Sequence, residues 1–200
     1  MHNFSKVINT FRKNYRPIPL EAFAKDPYKT IVSVLLSSRT LDTTTHLAAE
    51  RLFRKAPTLE KLGRLKTQSI QKLIYPVGFY KTKAGQLKRL AGIISTKFAG
   101  KIPESRKDLM KLPGVGRKTA NLVLNRAFGK PAIAVDTHVH KISNLLGWVK
   151  TQSPELTEIE LMKILPKKYW TDINRYFVSI GQQYRGVKLH EFLNKNKLLK

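Results

Sequence analysis

Two short stretches hold residue types whose spacing can do chemistry. The first is Leu112-Pro113-Gly114-Val115-Gly116-Arg117-Lys118-Thr119-Ala120. Two glycines two apart, after a proline and ahead of an apolar-striped helix, permit a tight turn whose backbone N–H groups side chains leave uncovered. Gly-x-Gly alone would give no more than a helix-helix turn, but the proline, the charge and the Arg117-Lys118 pair agree on a phosphate-binding helix-hairpin-helix. Lys118 lies off the apolar stripe of Ala120, Val123, Leu124, Ala127 and Phe128, so it faces water or a cleft. The first helical turn is the wrong end of the helix dipole for a cation, a setting that favours the unprotonated amine able to attack carbon. On these grounds alone, contact with a phosphate is the simpler role for Lys118.

The second stretch is Ala132-Ile133-Ala134-Val135-Asp136-Thr137-His138-Val139-His140-Lys141. An isolated Val-Asp-Thr reads as an N-cap. Here an apolar approach on one side and a helix on the other would partly bury the Asp136 carboxylate at a helix N-terminus, ionised and fixed, suited to stabilising positive charge that develops in a reaction. His138 and His140, two apart on a helix, point to different faces and make a poor metal pair; their spacing assigns His138 to packing and His140 to the surface. The chain has no cysteine, which removes every disulfide, thiolate nucleophile, iron-sulfur cluster and cysteine zinc site. No cofactor and no metal are expected.

The elements that must position these residues are helical throughout. Asp26 caps a helix with Pro27 at its first position and Tyr28, Ile31, Val32, Leu35 and Leu36 inside. Asp42 opens a second through Phe53, Thr58 or Leu59 a short third, and Thr67 a fourth with Ile70, Leu73 and Ile74, broken at Pro76 and Gly78. Lys81 to Phe98 follows and stops at Gly100, Pro103-Glu104-Ser105 starts the next, and Gly116 to Phe128 ends at Gly129. Asp136 starts a helix with Val139, Ile142, Leu145 and Leu146 inside, and Pro154, Pro166 and Gly186 punctuate three weaker ones. Leu156, Ile159, Leu161, Ile164, Leu165, Trp170, Tyr176 and Phe177 are expected to hold this terminal part together by apolar packing. No period-two alternation of strand length, internal repeat or low-complexity linker interrupts the pattern, so the fold class is all-α.

Charge narrows the partner. The 200 residues carry 38 Lys and Arg against 13 Asp and Glu, a formal charge of +25, with 42% hydrophobic residues. Such a field attracts nucleic acid or an anionic membrane face, but no apolar run approaches the roughly 18 residues of a spanning helix. The basic residues lie in nearly every segment, which predicts a charged face built from several helices. The polar start, Met1-His2-Asn3-Phe4-Ser5-Lys6, lacks the pattern of a secretory signal and predicts an intracellular protein, in the cytoplasm or nucleoid if prokaryotic.

In this order and about eighteen residues apart, the two stretches resemble those of the endonuclease III family of helix-hairpin-helix DNA glycosylases. The resemblance runs from about Asp26 to Trp148 and includes Leu35-Leu36-Ser37-Ser38-Arg39-Thr40-Leu41-Asp42 and Val77-Gly78-Phe79-Tyr80-Lys81-Thr82-Lys83-Ala84. It implies two helical lobes with DNA in the cleft: a six-helix lobe over 21–131, and a second lobe of 1–20 plus 132–200. It also implies a monomer acting on damaged double-stranded DNA. Lys118 matches the family's nucleophilic lysine, absent from monofunctional relatives, and Asp136 its catalytic aspartate. The implied reaction removes oxidised pyrimidines by attack of Lys118 on C1′ of a flipped-out nucleotide, with Asp136 stabilising the cationic sugar, and then breaks the strand by β-elimination from the Schiff base. Gly114, Val115, Gly116, Arg117, Thr119, Arg39, Phe79, Lys81, His138 and Lys141 form the candidate DNA-contacting set, the three hairpin residues through their backbone N–H groups.

The sequence departs from the family pattern in two places. Members usually carry four cysteines near the C-terminus that hold an iron-sulfur cluster, whereas Ser179-Ile180-Gly181-Gln182-Gln183-Tyr184-Arg185-Gly186 has none. Arg39 stands where bacterial relatives have a glutamine that fills the hole left by the flipped nucleotide; an arginine is larger, always charged and able to hydrogen-bond the orphaned base. Phe79 matches the apolar wedge beside it, with a core aromatic after a glycine turn as the alternative. Three other readings stay open: a mismatch glycosylase for thymine or uracil of the same superfamily, a hairpin module that holds DNA without chemistry, and a basic ribonucleoprotein component.

Overall fold

The computed structural model describes residues 3–199, and these form twelve α-helices and two short 3-10 helices. The described residues contain no strand, and the all-α expectation holds. The chain divides into two units, Pro19–Lys130 and the combination of Met1–Ile18 with Pro131–Lys200.

The first unit is built on α2 (Pro27–Ser37), capped as its sequence predicts: the Asp26 side chain accepts the Lys29 N–H at 3.0 Å, and Pro27 opens the helix. Every residue from Thr30 to Leu36 is buried, not only the expected stripe. The polar groups are satisfied locally, Thr30 Oγ1 donating to Phe23 O (2.8 Å) and Ser33 Oγ to Thr30 O (3.0 Å). Around it stand α3 (Asp42–Lys55), α4 (Leu59–Arg64), α5 (Thr67–Ile74), α6 (Tyr80–Lys97), α7 (Arg106–Leu109) and α8 (Arg117–Phe128), with α3, α6 and α8 directly against α2. Helix α8 ends on Gly129 in the left-handed region, the stop its sequence predicts.

The second unit holds α1 (Phe4–Lys13), α9 (Thr137–Leu145), α10 (Pro154–Ile164), α11 (Ile173–Gln183) and α12 (Val187–Lys195). Its central helix is α11, buried from Ile173 to Gly181 except at Arg175. Phe177 has no exposed surface and meets Phe11 edge-on, ring centroids 5.0 Å apart, and Trp148 at 5.5 Å. Of the residues expected to hold this part together, Leu161, Leu165, Tyr176 and Phe177 are core, and Ile164 and Trp170 are partly buried against it. Leu156 and Ile159 are not: they are 50% and 44% exposed, because α10 turns Thr157, Glu158 and Leu161 inward. His140, expected on the surface, is half-buried with Nδ1 hydrogen-bonded to Thr157 Oγ1 at 2.7 Å.

Both tryptophans, Trp148 and Trp170, lie in this second unit, so intrinsic tryptophan fluorescence reports on it alone. Phe177→Ala removes the ring on which Phe11 and Trp148 pack and should cost about 3–5 kcal/mol in urea unfolding followed by that fluorescence. A loss below about 1 kcal/mol would show that Phe177 does not organise the unit.

Candidate functional site

The hairpin is assembled from α7, the turn 110–116 and α8. Ser105 Oγ caps α7 through the Asp108 N–H (3.1 Å), and Arg106 Nε donates to Asn121 Oδ1 (2.8 Å), tying α7 to α8. Bonds from Lys111 and Ser105 hold the Asp108 carboxyl below the ordinary carboxylate range. Gly114 has φ +78°, a backbone that favours glycine, and a Cβ there would lie 2.8 Å from Gln86 Oε1, so the Gln86 side chain would have to swing aside. Gly116 is the N-cap of α8 and offers no side chain to cap it. The first bond back into the helix start is Ala120 N–H to Gly116 O at 2.9 Å, which leaves the amides ahead of Ala120 without acceptors inside the helix. Gly114, Gly116 and Lys118 are exposed, and among the described residues Lys118 makes no ion pair.

Val115 corrects the expected DNA-contacting set. Its side chain is buried, and its N–H donates to Leu112 O at 3.1 Å inside the turn, so that amide is not available to a phosphate. Its side chain anchors the turn, and the open amides are those that flank it.

The structure brings Arg39, Phe79, Gly114 and Thr119 to the rim of one hollow in the first unit, with Val34, Leu35, Ser38, Thr82, Lys83 and Gln86 completing it. Phe79 is 61% exposed, which removes the core-aromatic alternative. The Arg39 guanidinium carbon lies 5.6 Å from the centroid of the Phe79 ring. Lys81 is exposed on α6, and Arg117 is half-buried.

Asp136, His138 and Lys141 belong to the other unit. The buried run Ala132, Ile133, Ala134 and Val135 delivers Asp136 half-buried to the start of α9, where Oδ1 accepts the Val139 N–H at 2.8 Å. No partner for Oδ2 is present among the described residues. Asn174 Nδ2, from buried α11, donates to Ala134 O at 3.0 Å and fixes the approach two residues ahead of the carboxylate. His138, half-buried, lies against α11 where Gly181 leaves room for its ring. Lys141 is exposed.

Sequence reading gave no role to Lys83, Thr40, Gln86 or Asn174. Lys83 carried a signal: it shares a helix face with the apolar Leu87, Leu90 and Ile94, an unusual place for a lysine. It is buried, and Nζ donates to Leu36 O (2.9 Å), Ser38 O (2.5 Å) and Thr40 Oγ1 (3.3 Å). Burial lowers its pKa to about 8, while the three oxygens hold the charged form at neutral pH.

With this geometry in view, the likeness to known proteins is specific. Residues 32–167 match the family described as HhH-GPD superfamily base excision DNA repair protein. The chain is 42% identical over 178 residues to an endonuclease III of Thermotoga maritima, covering 89% of this chain and 80% of that protein. It superposes on a trapped endonuclease III–DNA covalent intermediate with a TM-score of 0.81 at 34% identity, over 88% of this chain and 84% of that one. A non-covalent endonuclease III–DNA complex gives 0.84 at 30% identity, over 97% and 95%. The chain belongs to the HhH-GPD superfamily of base excision DNA repair proteins and, within it, to the endonuclease III family.

Two stability measurements test the site's construction. Gly114→Ala should destabilise by about 1–3 kcal/mol because its φ of +78° strains any residue with a Cβ, whereas Gly116→Ala, whose Cβ meets nothing within 4 Å, should stay within about 0.5 kcal/mol. Equal losses would refute the distinction. Between about pH 8 and pH 10.5 the unfolded chain keeps a Lys83 proton that the folded chain releases, so wild-type stability should rise with pH relative to Lys83→Met. Urea unfolding of both proteins at about pH 7 and about pH 10 checks this, and a pH-independent difference would mean that the ammonium is not desolvated.

Proposed function

We propose that the chain is a bifunctional DNA glycosylase and AP lyase of base excision repair, with Lys118 as nucleophile and Asp136 as the stabilising carboxylate. The observation that carries this reading is an exposed lysine without a counter-ion, in the first turn of a helix whose uncapped N-terminus follows a glycine hairpin. Family membership and likeness to a covalent endonuclease III–DNA intermediate support it. The substrate class is oxidised pyrimidines in duplex DNA, together with abasic sites. The open oxygen of Asp136 is what supports its electrostatic role, since one oxygen already serves the helix.

The neutral Lys118 amine adds to C1′ as the glycosidic bond breaks and its electron pair leaves with the base, which takes up a proton. Asp136 lowers the energy of the cationic sugar in that step. The sugar ring opens to a protonated Schiff base, a proton leaves C2′, and the 3′ phosphate departs by β-elimination. Water then hydrolyses the imine and returns the lysine. The amides of Gly114 and Gly116 seat one phosphate. Arg117, Thr119 and Lys81 in the first unit, and Lys141 and the exposed part of His138 in the second, offer further contacts to the backbone, and Arg39 and Phe79 enter the stack where the nucleotide has left.

No iron-sulfur cluster takes part in this reading: the chain supplies no cysteine, and the described residues hold no group of three or more His, Cys, Asp or Glu side chains that could bind a metal. No helix among the described residues is long and apolar enough to cross a membrane. A DNA substrate fits a protein of the cytoplasm or nucleoid if the source is prokaryotic.

Borohydride should trap a covalent adduct with an abasic-site duplex, and Lys118→Gln should abolish trapping while still binding DNA. Asp136→Asn should slow single-turnover base removal by about a hundredfold or more. Full trapping by Lys118→Gln, or an unchanged rate for Asp136→Asn, would withdraw the corresponding role. Faster excision of thymine from a mismatch than of an oxidised pyrimidine would replace the substrate class.

A further inference from the structure

Arg39 and Phe79 share an uncommon feature. Both have left-handed backbones, with φ 52° and 56°, although neither is glycine, asparagine or aspartate. Side chains of this size hold that conformation only where surrounding contacts dictate it. The contacts are visible. The two loops touch so closely that a Cβ on Gly78 would lie 2.5 Å from Arg39 O, and the Gly78 N–H donates to Thr40 Oγ1 at 3.0 Å. Lys83, in the first turns of α6, reaches back beneath the Arg39 loop, and its three oxygen partners, on Leu36, Ser38 and Thr40, bracket Arg39 on both sides. An ammonium has three donors, so the group is fully used. Thr40 Oγ1 joins the two halves, accepting from Gly78 and from Lys83 and donating to Ser38 O.

We propose that Lys83 is a positioning residue: by clamping the chain on either side of Arg39 it fixes that residue's backbone beside Phe79, so that the two side chains meet DNA as one preformed unit. The proposal rests on the reading of Arg39 and Phe79 as the pair that enters the duplex. Lys83 is buried and is not itself offered to DNA. Its effect therefore appears only where Arg39 and Phe79 engage, that is, on a duplex with a nucleotide missing from the stack. A general contribution to fold or to charge acts on every duplex alike.

The test measures affinity for an undamaged duplex and for the same duplex carrying a tetrahydrofuran abasic analogue, using wild type, Arg39→Ala, Lys83→Met and the double variant. Arg39→Ala should lose about tenfold on the analogue and less than about twofold on the undamaged duplex, and Lys83→Met should reproduce that pattern. If Lys83 works through Arg39, the double variant stays within about twofold of the worse single variant instead of losing about a hundredfold. A 2-aminopurine opposite the analogue adds a signature that stability alone does not move: its brightening at saturating protein should fall in Lys83→Met. Equal losses on both duplexes, multiplying losses in the double variant or undiminished 2-aminopurine brightening would overturn the proposal. Failure of Arg39→Ala to distinguish the duplexes would overturn the entry reading and the proposal with it. Should Lys83→Met not fold, Thr40→Val carries the same comparison, since it keeps the shape and removes the hydroxyl that joins Lys83 to Gly78.

Discussion

A helix buried on every side leaves its last carbonyls inside the protein, where each needs a donor. Helix α2 is in that position, and it ends without a left-handed glycine: Ser38 leaves it with φ −58° and ψ 121°, in an extended direction. Lys83 supplies donors to Leu36 O and Ser38 O from outside the helix. Neighbouring ends are finished the same way. Arg51 donates to Leu73 O at 3.0 Å and to Tyr75 O past the end of α5, and Lys88 donates to Gly63 O in the last turn of α4 and, at 2.8 Å, to Leu65 O just past its end. A cation at a helix C-terminus also meets the negative end of the dipole. The loops that carry Arg39 and Phe79 are the continuations of two of these ends, so the arrangement proposed to meet DNA is a by-product of how buried helices are closed.

This use of basic residues changes how the charge is understood. A net charge of +25 repels itself and works against a compact fold. The acidic residues do little to cancel it, since the ion pairs of Asp26, Glu60, Glu160 and Asp172 lie three or four residues apart on a helix, on largely exposed side chains. Such pairs contribute about 0–1 kcal/mol each. Apolar burial must carry the fold, and inward cations such as Lys83 reduce the number facing outward while doing work no apolar residue could do. Those left outside, Lys81, Lys118 and Lys141 among them, are exposed, and in the proposed function they meet phosphates without an internal carboxylate to compete for them.

Legibility of the sequence followed the range of the physics involved. The caps at Asp26 and Asp136 and the stop at Gly129 are local, written within a few residues, and the structure agrees. The stripe of α8 holds only in part: Ala120, Val123 and Leu124 are buried together with Asn121 and Leu122, while Ala127 and Phe128 are half-buried. Long-range features were less visible. Val115 looked like one more amide in a glycine turn until Leu112 O claimed its N–H. Leu156 and Ile159 looked like core because α10 is apolar on more than one face, and only the packing partner decides which face turns inward. Thr40, Asn174 and Gln86 are ordinary polar residues, and their roles arise from chain positions about 40 residues or more away or from the hollow they help to line. Lys83 is the instructive case, because its place on an apolar helix face was readable and its partners were not.

The second unit shows what an all-α domain needs when cysteine is unavailable to it. Its segment 179–186 contains a buried serine and a glutamine instead of metal ligands. Ser179 Oγ accepts the Arg16 N–H at 2.8 Å and donates to Arg16 O at 2.9 Å, and Gln183 Nε2 donates to Asn14 O at 3.0 Å, so the end of α11 binds the strand of chain leaving α1. Further along the same helix Phe177 meets Phe11 of α1, and Asn174 holds the backbone that presents Asp136. One helix therefore couples the N-terminal segment, the aromatic core and the approach to the carboxylate. Each of its contacts is an ordinary hydrogen bond or apolar contact, individually small, and their concentration on a single buried helix lets the unit hold Asp136 in place without a cysteine-bound metal.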